Sequence, residues 1–184
     1  AAGAARPVLL FVHGGGFVAG DKHPAGSVYH DNIGLWAVHH GMIGVNMTYR
    51  LAPQHPWPAG AMDVGAAVAW VRAHAAEHGG DPNRIILMGT SAGAAHAAAY
   101  AVNPRFHAGS DAGLAGLVLL SGLYDMGSAP GTEPKIAYFG HDEANYVAGS
   151  TLQGGAKTSI PLLLVLTEMD PPEFQGKTLV LLSQ

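Results

Sequence analysis

The chain has 184 residues, 48% of them hydrophobic and only 12% charged, so it is long enough for a domain with a sizeable core and too apolar for a disordered protein. Its formal net charge of -4 argues against a nucleic-acid partner, and no apolar run approaches the ~20 residues of a membrane span. The absence of cysteine excludes disulfides, thiolate catalysis and thiolate zinc sites, and the scattered histidines do not suggest a metal cluster.

Short apolar runs alternate with segments of helical pattern along the chain. The first run is continuous, which is typical of a strand buried on both faces, and Val64, Val68 and Val71 recur at helical spacing. Strands are predicted over residues 8–12, 42–47, 84–88, 116–120 and 160–166, and helices over residues 27–40, 59–78, 92–102 and 173–183. This alternation predicts an α/β fold with a doubly wound, mostly parallel sheet and helices on both faces.

A single domain is predicted over residues 1–184. Within it, residues 124–159 are rich in glycine, proline and polar residues, so we expect an irregular or cap-like insertion there. The chain begins with Ala1 rather than Met and stops at Gln184 inside a predicted helix, which suggests an internal piece of a longer protein. No signal peptide is visible, and we expect a cytoplasmic location.

A Gly-x-Ser-x-Gly pattern, residues 89–93, joins the third predicted strand to an Ala-rich helix. The pattern alone is a weak signal, but a strand that turns sharply into a helix holds the central residue at a strained, exposed tip. Glycine suits the two flanking positions because a Cβ would clash there. Ser91 is therefore predicted to be a nucleophile next to the positive end of a helix; the alternative is a tight glycine turn with an incidental serine.

Three consecutive glycines, residues 14–16, follow His13 directly after the first predicted strand. Backbone N–H groups in such a loop can approach a substrate oxygen, and the amide of Ala92 is the expected second donor to an oxyanion. A phosphate-binding loop is the main competitor, but no Gly-Lys-Ser/Thr follows and the Gly-x-Gly-x-x-Gly spacing is missing. A loop without function is the other alternative. His13 itself is expected to order the loop rather than to react.

A serine nucleophile needs a base, and the base needs an orienting carboxylate. Asp170 lies just past the fifth predicted strand, where an acid belongs in the order Ser, Asp, His; Glu168 and Asp125 remain alternatives, as does a capping role. The last histidine, His141, precedes Asp170, and His96 should point away from Ser91 on its own helix. The sequence therefore offers no evident general base.

These residues resemble the hormone-sensitive-lipase-like carboxylesterases of the α/β-hydrolase family. The resemblance rests on four motifs in the family's order, namely His13-Gly14-Gly15-Gly16-Phe17, Tyr49-Arg50-Leu51-Ala52-Pro53, Gly89-Thr90-Ser91-Ala92-Gly93 and Asp170-Pro171-Pro172. It extends from the third to the seventh strand of an eight-stranded sheet, so the first two strands and the last strand are expected to be missing. Thr90 departs from the family, which usually has an acidic residue there, and the run after Ser91 also resembles bacterial feruloyl esterases and arylformamidases.

The resemblance implies a Ser-His-Asp triad that hydrolyses small or medium carboxylic esters without a cofactor or metal. It assigns the nucleophile to Ser91, the acid to Asp170 and the oxyanion donors to Gly15, Gly16 and Ala92. Phe17, Trp57 and Tyr124 are candidates for the substrate pocket, although core aromatics are as plausible. The expected partner is a small-molecule ester, with a homodimer as a candidate assembly. A ligand-binding protein without turnover and an amidase are the alternative functions.

Overall fold

The computed structural model describes residues 5–127, 131–155 and 158–182, and the sheet lies at the centre of this part of the chain. Its five strands are β1 (Arg6–Val12), β2 (Ile43–Met47), β3 (Gly80–Thr90), β4 (Gly116–Leu120) and β5 (Leu162–Val165). All neighbouring strands are parallel, in the order β2-β1-β3-β4-β5. The predicted parallel α/β sheet is confirmed.

Helices connect and cover the strands. They are α1 (Asp31–His39), α2 (Ala59–His74), α3 (Ala92–Val102), α4 (Glu133–Phe139), α5 (Glu143–Gly149), α6 (Leu152–Gly155) and α7 (Pro172–Leu182). Every residue from Val8 to Val12 is buried, and because strand side chains alternate between faces, both faces of β1 are covered. The predicted apolar stripe of α2 is also buried, with Val64, Val68 and Val71 at most 2% exposed.

The structure differs from the sequence prediction at several element bounds; α2 ends at His74 rather than at residue 78, and β5 spans Leu162–Val165 rather than residues 160–166. Helix α1 begins at Asp31 rather than at residue 27, because His30 adopts a left-handed φ of 73° that cannot belong to a helix. Strand β3 begins at Gly80, four residues before the predicted start, where Gly80 pairs with Arg6 before an irregularity in the register. The segment over residues 124–159, for which no regular structure was predicted, contains α4, α5 and α6.

The strand register brings four chain segments to one edge of the sheet. Val12 pairs with Gly89, Thr90 with Leu120, and Leu120 with Val165. The residues that follow β1, β3, β4 and β5 therefore all emerge at the carboxyl edge, which is where reactive sites of parallel α/β sheets lie. None of the helices in the described ranges is both long enough and apolar enough to cross a membrane.

Candidate active site

Ser91 occupies the turn between β3 and α3. Its backbone has φ 54° and ψ -122°, a conformation that residues with a Cβ rarely adopt. The Ser91 N–H donates to the Leu120 carbonyl at 2.9 Å, which ties the turn to the end of β4. The side chain is half-buried and lines a cavity, so the hydroxyl is accessible to a small molecule.

The glycines that flank Ser91 are required by close backbone approaches. A Cβ added to Gly89 would overlap the carbonyl oxygen of Gly93, and one added to Gly93 would overlap the carbonyl oxygens of Val12 and His13. The turn thus closes on itself and packs directly against the end of β1. No residue other than glycine fits these two positions without moving the backbone.

The glycine loop after β1 lies beside the serine. A Cβ built on Gly14 would stand 3.2 Å from the Ser91 Cβ, and Gly15 and Gly16 have φ values of 126° and 60°. Among backbone hydrogen bonds outside regular elements, none within the described residues uses the N–H of Gly15, Gly16 or Ala92 as its donor. These three amides therefore have no backbone acceptor among the described residues, and Gly16 and Ala92 line the same cavity as Ser91.

His13 and Tyr49 hold the first peptide of this loop. The buried imidazole of His13 donates from Nδ1 to the Gly14 carbonyl at 2.6 Å, which leaves Nε2 to accept from the Thr48 hydroxyl at 3.0 Å. The Tyr49 hydroxyl donates to the same Gly14 carbonyl at 3.3 Å, and burial lowers the pKa of His13. Because C=O and N–H point in opposite directions across a trans peptide, fixing the Gly14 carbonyl also fixes the direction of the Gly15 N–H.

A cavity of about 250 Å³ opens at Ser91. Its lining is mostly apolar and comprises Gly16, Phe17, Ser91, Ala92, Leu123, Thr132, Pro134, Lys135, Pro171 and Phe174. Of the three aromatic residues proposed for the pocket, Phe17 lines this cavity. Tyr124 is instead a core side chain with 1% exposure, and Trp57 packs on Phe106 and Phe139.

A larger cavity of about 700 Å³ lies near the amino ends of β4 and β5, beside Leu114 and Pro161. It is at the edge of the sheet opposite to Ser91. Since parallel α/β sheets place their reactive groups at the carboxyl ends of strands, the smaller cavity is the candidate site.

Asp170 follows β5 in a loop that fixes its carboxylate. Thr167 donates to it twice at 2.8 Å, from the backbone N–H to Oδ2 and from the hydroxyl to Oδ1. The Thr167 N–H is the main cause that lowers the pKa of Asp170, with a smaller contribution from the Ser121 side chain. The Gln175 amide braces the same loop by donating to the carbonyls of Glu168 and Asp170. Asp170 is therefore an ionised, oriented carboxylate, and the neighbouring Pro171 lines the cavity.

No described histidine is hydrogen-bonded to the serine. All eleven histidines lie within the described residues, and no hydrogen bond joins any of them to Ser91 there. His96 is 1% exposed, its Nε2 has no hydrogen-bond partner, and its ring packs edge-on against Tyr49, Phe17 and Tyr138. Burial lowers the pKa of His96 to about 3, so the ring is neutral and serves the core. In the described parts of the chain, no three acidic, histidine or cysteine side chains come together as a metal site.

Comparison with known proteins decides the family. A family model described as an alpha/beta hydrolase fold matches residues 9–180. The chain belongs to the α/β-hydrolase family. The chain is 48% identical over 88 residues to the carboxylesterase NlhH of Mycobacterium tuberculosis, an alignment that covers 47% of this chain and 26% of that protein. It is 42% identical over 102 residues to the esterase LipI of the same organism, covering 55% and 31% of the two chains.

Solved structures agree with this assignment. The chain superimposes on a hyperthermophilic esterase from the archaeon Pyrobaculum calidifontis with a TM-score of 0.79 and 25% identity, over 97% of this chain and 63% of that chain. The chain thus spans less than two thirds of these relatives. The predicted resemblance to carboxylesterases of this fold is confirmed.

The contribution of helix α4 to the lining of the cavity was not predicted from the sequence. Pro134 and Lys135 of this helix line the cavity, as does Thr132 just before it. Lys135 is 3% exposed and its ammonium lies 5.1 Å from the centre of the Tyr146 ring; burial lowers its pKa, while the charge of Asp125 acts in the opposite direction. A buried lysine within a Gly- and Pro-rich segment gives no periodic signal from which this could be predicted.

Proposed function

We propose that this hydrolase cleaves carboxylic esters of small or medium size through an acyl-enzyme on Ser91. The observation that carries the proposal is the shared position of a strained, accessible serine and unused backbone amides at one apolar cavity. The named carboxylesterases and esterases among its relatives support the choice of esters as substrates.

In the proposed reaction, a base removes the Ser91 proton as the oxygen attacks the ester carbonyl. The amides of Gly15, Gly16 and Ala92 hold the resulting oxyanion, and a donor of this kind contributes about 3 kcal/mol to the barrier reduction. Collapse of the intermediate releases the alcohol, which takes up the proton from the base. Water then attacks the acyl-enzyme along the reverse proton path, releasing the acid and restoring the serine.

The general base in this proposal is a histidine outside the present sequence. Its imidazole would donate from one nitrogen to Asp170 and accept the serine proton at the other. The fixed, ionised state of Asp170 supports its role as the acid, and Glu168, whose side chain is exposed, is a weaker candidate. The homodimer, the cytoplasmic location and the lack of nucleic-acid partners stay predictions.

The test is hydrolysis of a short-chain aryl ester by the intact protein, together with labelling by a fluorophosphonate probe. We expect turnover, and labelling at Ser91 that disappears in Ser91→Ala. An intact protein that binds short esters without turnover, with Ser91 unlabelled, would instead support the ligand-binding alternative. That alternative is favoured because no histidine in the described ranges is hydrogen-bonded to Ser91. Faster cleavage of an aryl formamide than of the matched ester would support the amidase alternative.

A further inference from the structure

The shape of the glycine loop is not determined by its own residues. Gly14, Gly15 and Gly16 lack the Cβ that restricts other residues, so many backbone conformations are open to them. The Gly15 carbonyl accepts from the N–H groups of Val18 and Ala19, and the two residues that flank the loop are held as well. His13 holds the first flank through its bonds to Gly14 and Thr48. The second flank is Phe17.

Phe17 is itself in an unfavourable backbone conformation. Its φ is 71°, in the left-handed region that bulky residues avoid, and such a conformation persists only where the surroundings impose it. The Phe17 carbonyl accepts from the Ala52 N–H at 3.0 Å, and the ring is 6% exposed. The hydrogen bond to the Phe17 carbonyl and the burial of the side chain together oppose relaxation of the backbone.

The ring of Phe17 is stacked on the ring of Tyr138. The ring centroids are 4.8 Å apart and the planes differ by only 2°. Tyr138 is fully buried and is anchored twice: its hydroxyl accepts from the Gly60 N–H at 3.0 Å, and its carbonyl accepts from the Trp57 N–H at 2.7 Å. Pro134, one turn earlier on α4, lies beside Gly16, since a Cβ added there would stand 3.4 Å from the Pro134 Cβ.

We propose that Tyr138 is a positioning residue for the oxyanion loop, holding Phe17 so that the Gly16 amide faces the cavity beside Ser91. The inference rests on the proposed function, because it concerns the donors to the oxyanion. In this proposal, helix α4 affects the rate of ester hydrolysis and also lines the cavity. A residue that acts in this way affects the transition state, where charge develops on the oxygen, more than it affects substrate binding.

The experiment compares three variants of the intact enzyme. Tyr138→Leu removes the stack, and Tyr138→Phe keeps the stack but loses the hydroxyl. Tyr100→Leu is the control, because Tyr100 is equally buried and its hydroxyl also makes a hydrogen bond, to the Ala112 carbonyl, within the main core. Measurements are kcat and KM on a short aryl ester, affinity for a trifluoromethyl ketone that forms an oxyanion on Ser91, and the melting temperature.

We expect Tyr138→Leu to lower kcat about 10-fold with KM nearly unchanged, since complete loss of one oxyanion donor costs about 10²–10³ in kcat. Ketone affinity should fall by a similar factor. Tyr138→Phe should retain most of kcat, and Tyr100→Leu should lower the melting temperature but not kcat. If Tyr138→Leu does not fold, Tyr138→Met, which keeps more of the volume, replaces it.

An active wild type with unchanged kcat in folded Tyr138→Leu would overturn the inference and leave the proposed function intact. An equal loss of kcat in Tyr100→Leu would also overturn it, because general destabilisation would then explain the effect. A wild type without turnover and without Ser91 labelling would refute the proposed function itself.

Discussion

The strained backbone at Ser91 predicts that removing its Cβ stabilises the protein. Ser91→Gly and Ser91→Ala both lack the hydroxyl, so their difference isolates the effect of the Cβ at φ 54° and ψ -122°. A residue with a Cβ in such a region costs about 1–3 kcal/mol. Glycine gives back about 0.4–1 kcal/mol through the greater entropy of its unfolded chain. We expect Ser91→Gly to be more stable than Ser91→Ala by about 1 kcal/mol.

The measurement is denaturant unfolding of both variants, with equal m-values as the check that only stability has changed. For a protein of this size, about 1 kcal/mol corresponds to roughly 2–4 °C in melting temperature. Neither variant should hydrolyse esters. Equal stabilities, or a less stable glycine variant, would refute the reasoning that the turn imposes strain on the serine.

Three further predictions concern the packing and the charges around the site. Gly93→Ala should lower the free energy of unfolding by about 2–3 kcal/mol, because the new methyl group overlaps the carbonyls of Val12 and His13. The control is Gly176→Ala on α7, where the new methyl group meets no atom within 4 Å, and it should be neutral or slightly stabilising in the same unfolding assay. Thr167→Val should raise the pKa of Asp170 towards its ordinary value, because the hydroxyl donor to the carboxylate is lost while the Thr167 N–H stays. Carboxyl-carbon NMR follows this pKa, and an unchanged value would mean that the hydroxyl does not stabilise the ionised form. The pKa of His96 is about 3 in the folded state against an ordinary 6.5, so its contribution to stability is complete above pH 6.5 and is lost as the pH falls towards 3. The unfolding free energy of His96→Asn should therefore decline less steeply than that of the wild type as the pH falls from 6.5 to 3. Equal slopes would contradict the argument that burial keeps this imidazole neutral.

The elements that the sequence predicted best are those with strong local signals. The helix over residues 92–102 and the strand over residues 116–120 match the structure to the residue, because each combines a uniform composition with a clear stop. The turn around Ser91 could be anticipated because its glycines are needed for contacts within the turn itself. The catalytic roles of Ser91 and Asp170 stay predictions until they are measured.

The parts that could not be predicted depend on contacts between distant segments. Helix α4 has seven residues and ends before Gly140, so its local pattern is too short to predict a helix. Its helical state is stabilised by Tyr138 and Phe139, which are buried against Phe17 and Trp57 far away in sequence. Pocket residues such as Thr132 and Lys135 therefore had no signal of their own, and aromatic residues such as Tyr124 could not be assigned between core and pocket.

The strand order leaves β2 and β5 at the two margins of the sheet. Within the described residues each of them pairs on one side alone, and Leu163 of β5 is 57% exposed. Peptide groups on an open margin recruit further strands through backbone pairing, with little regard for side-chain identity. Pairing of a further strand with either margin, from this protein or from another copy, would therefore depend only weakly on ionic strength, because peptide groups carry no net charge.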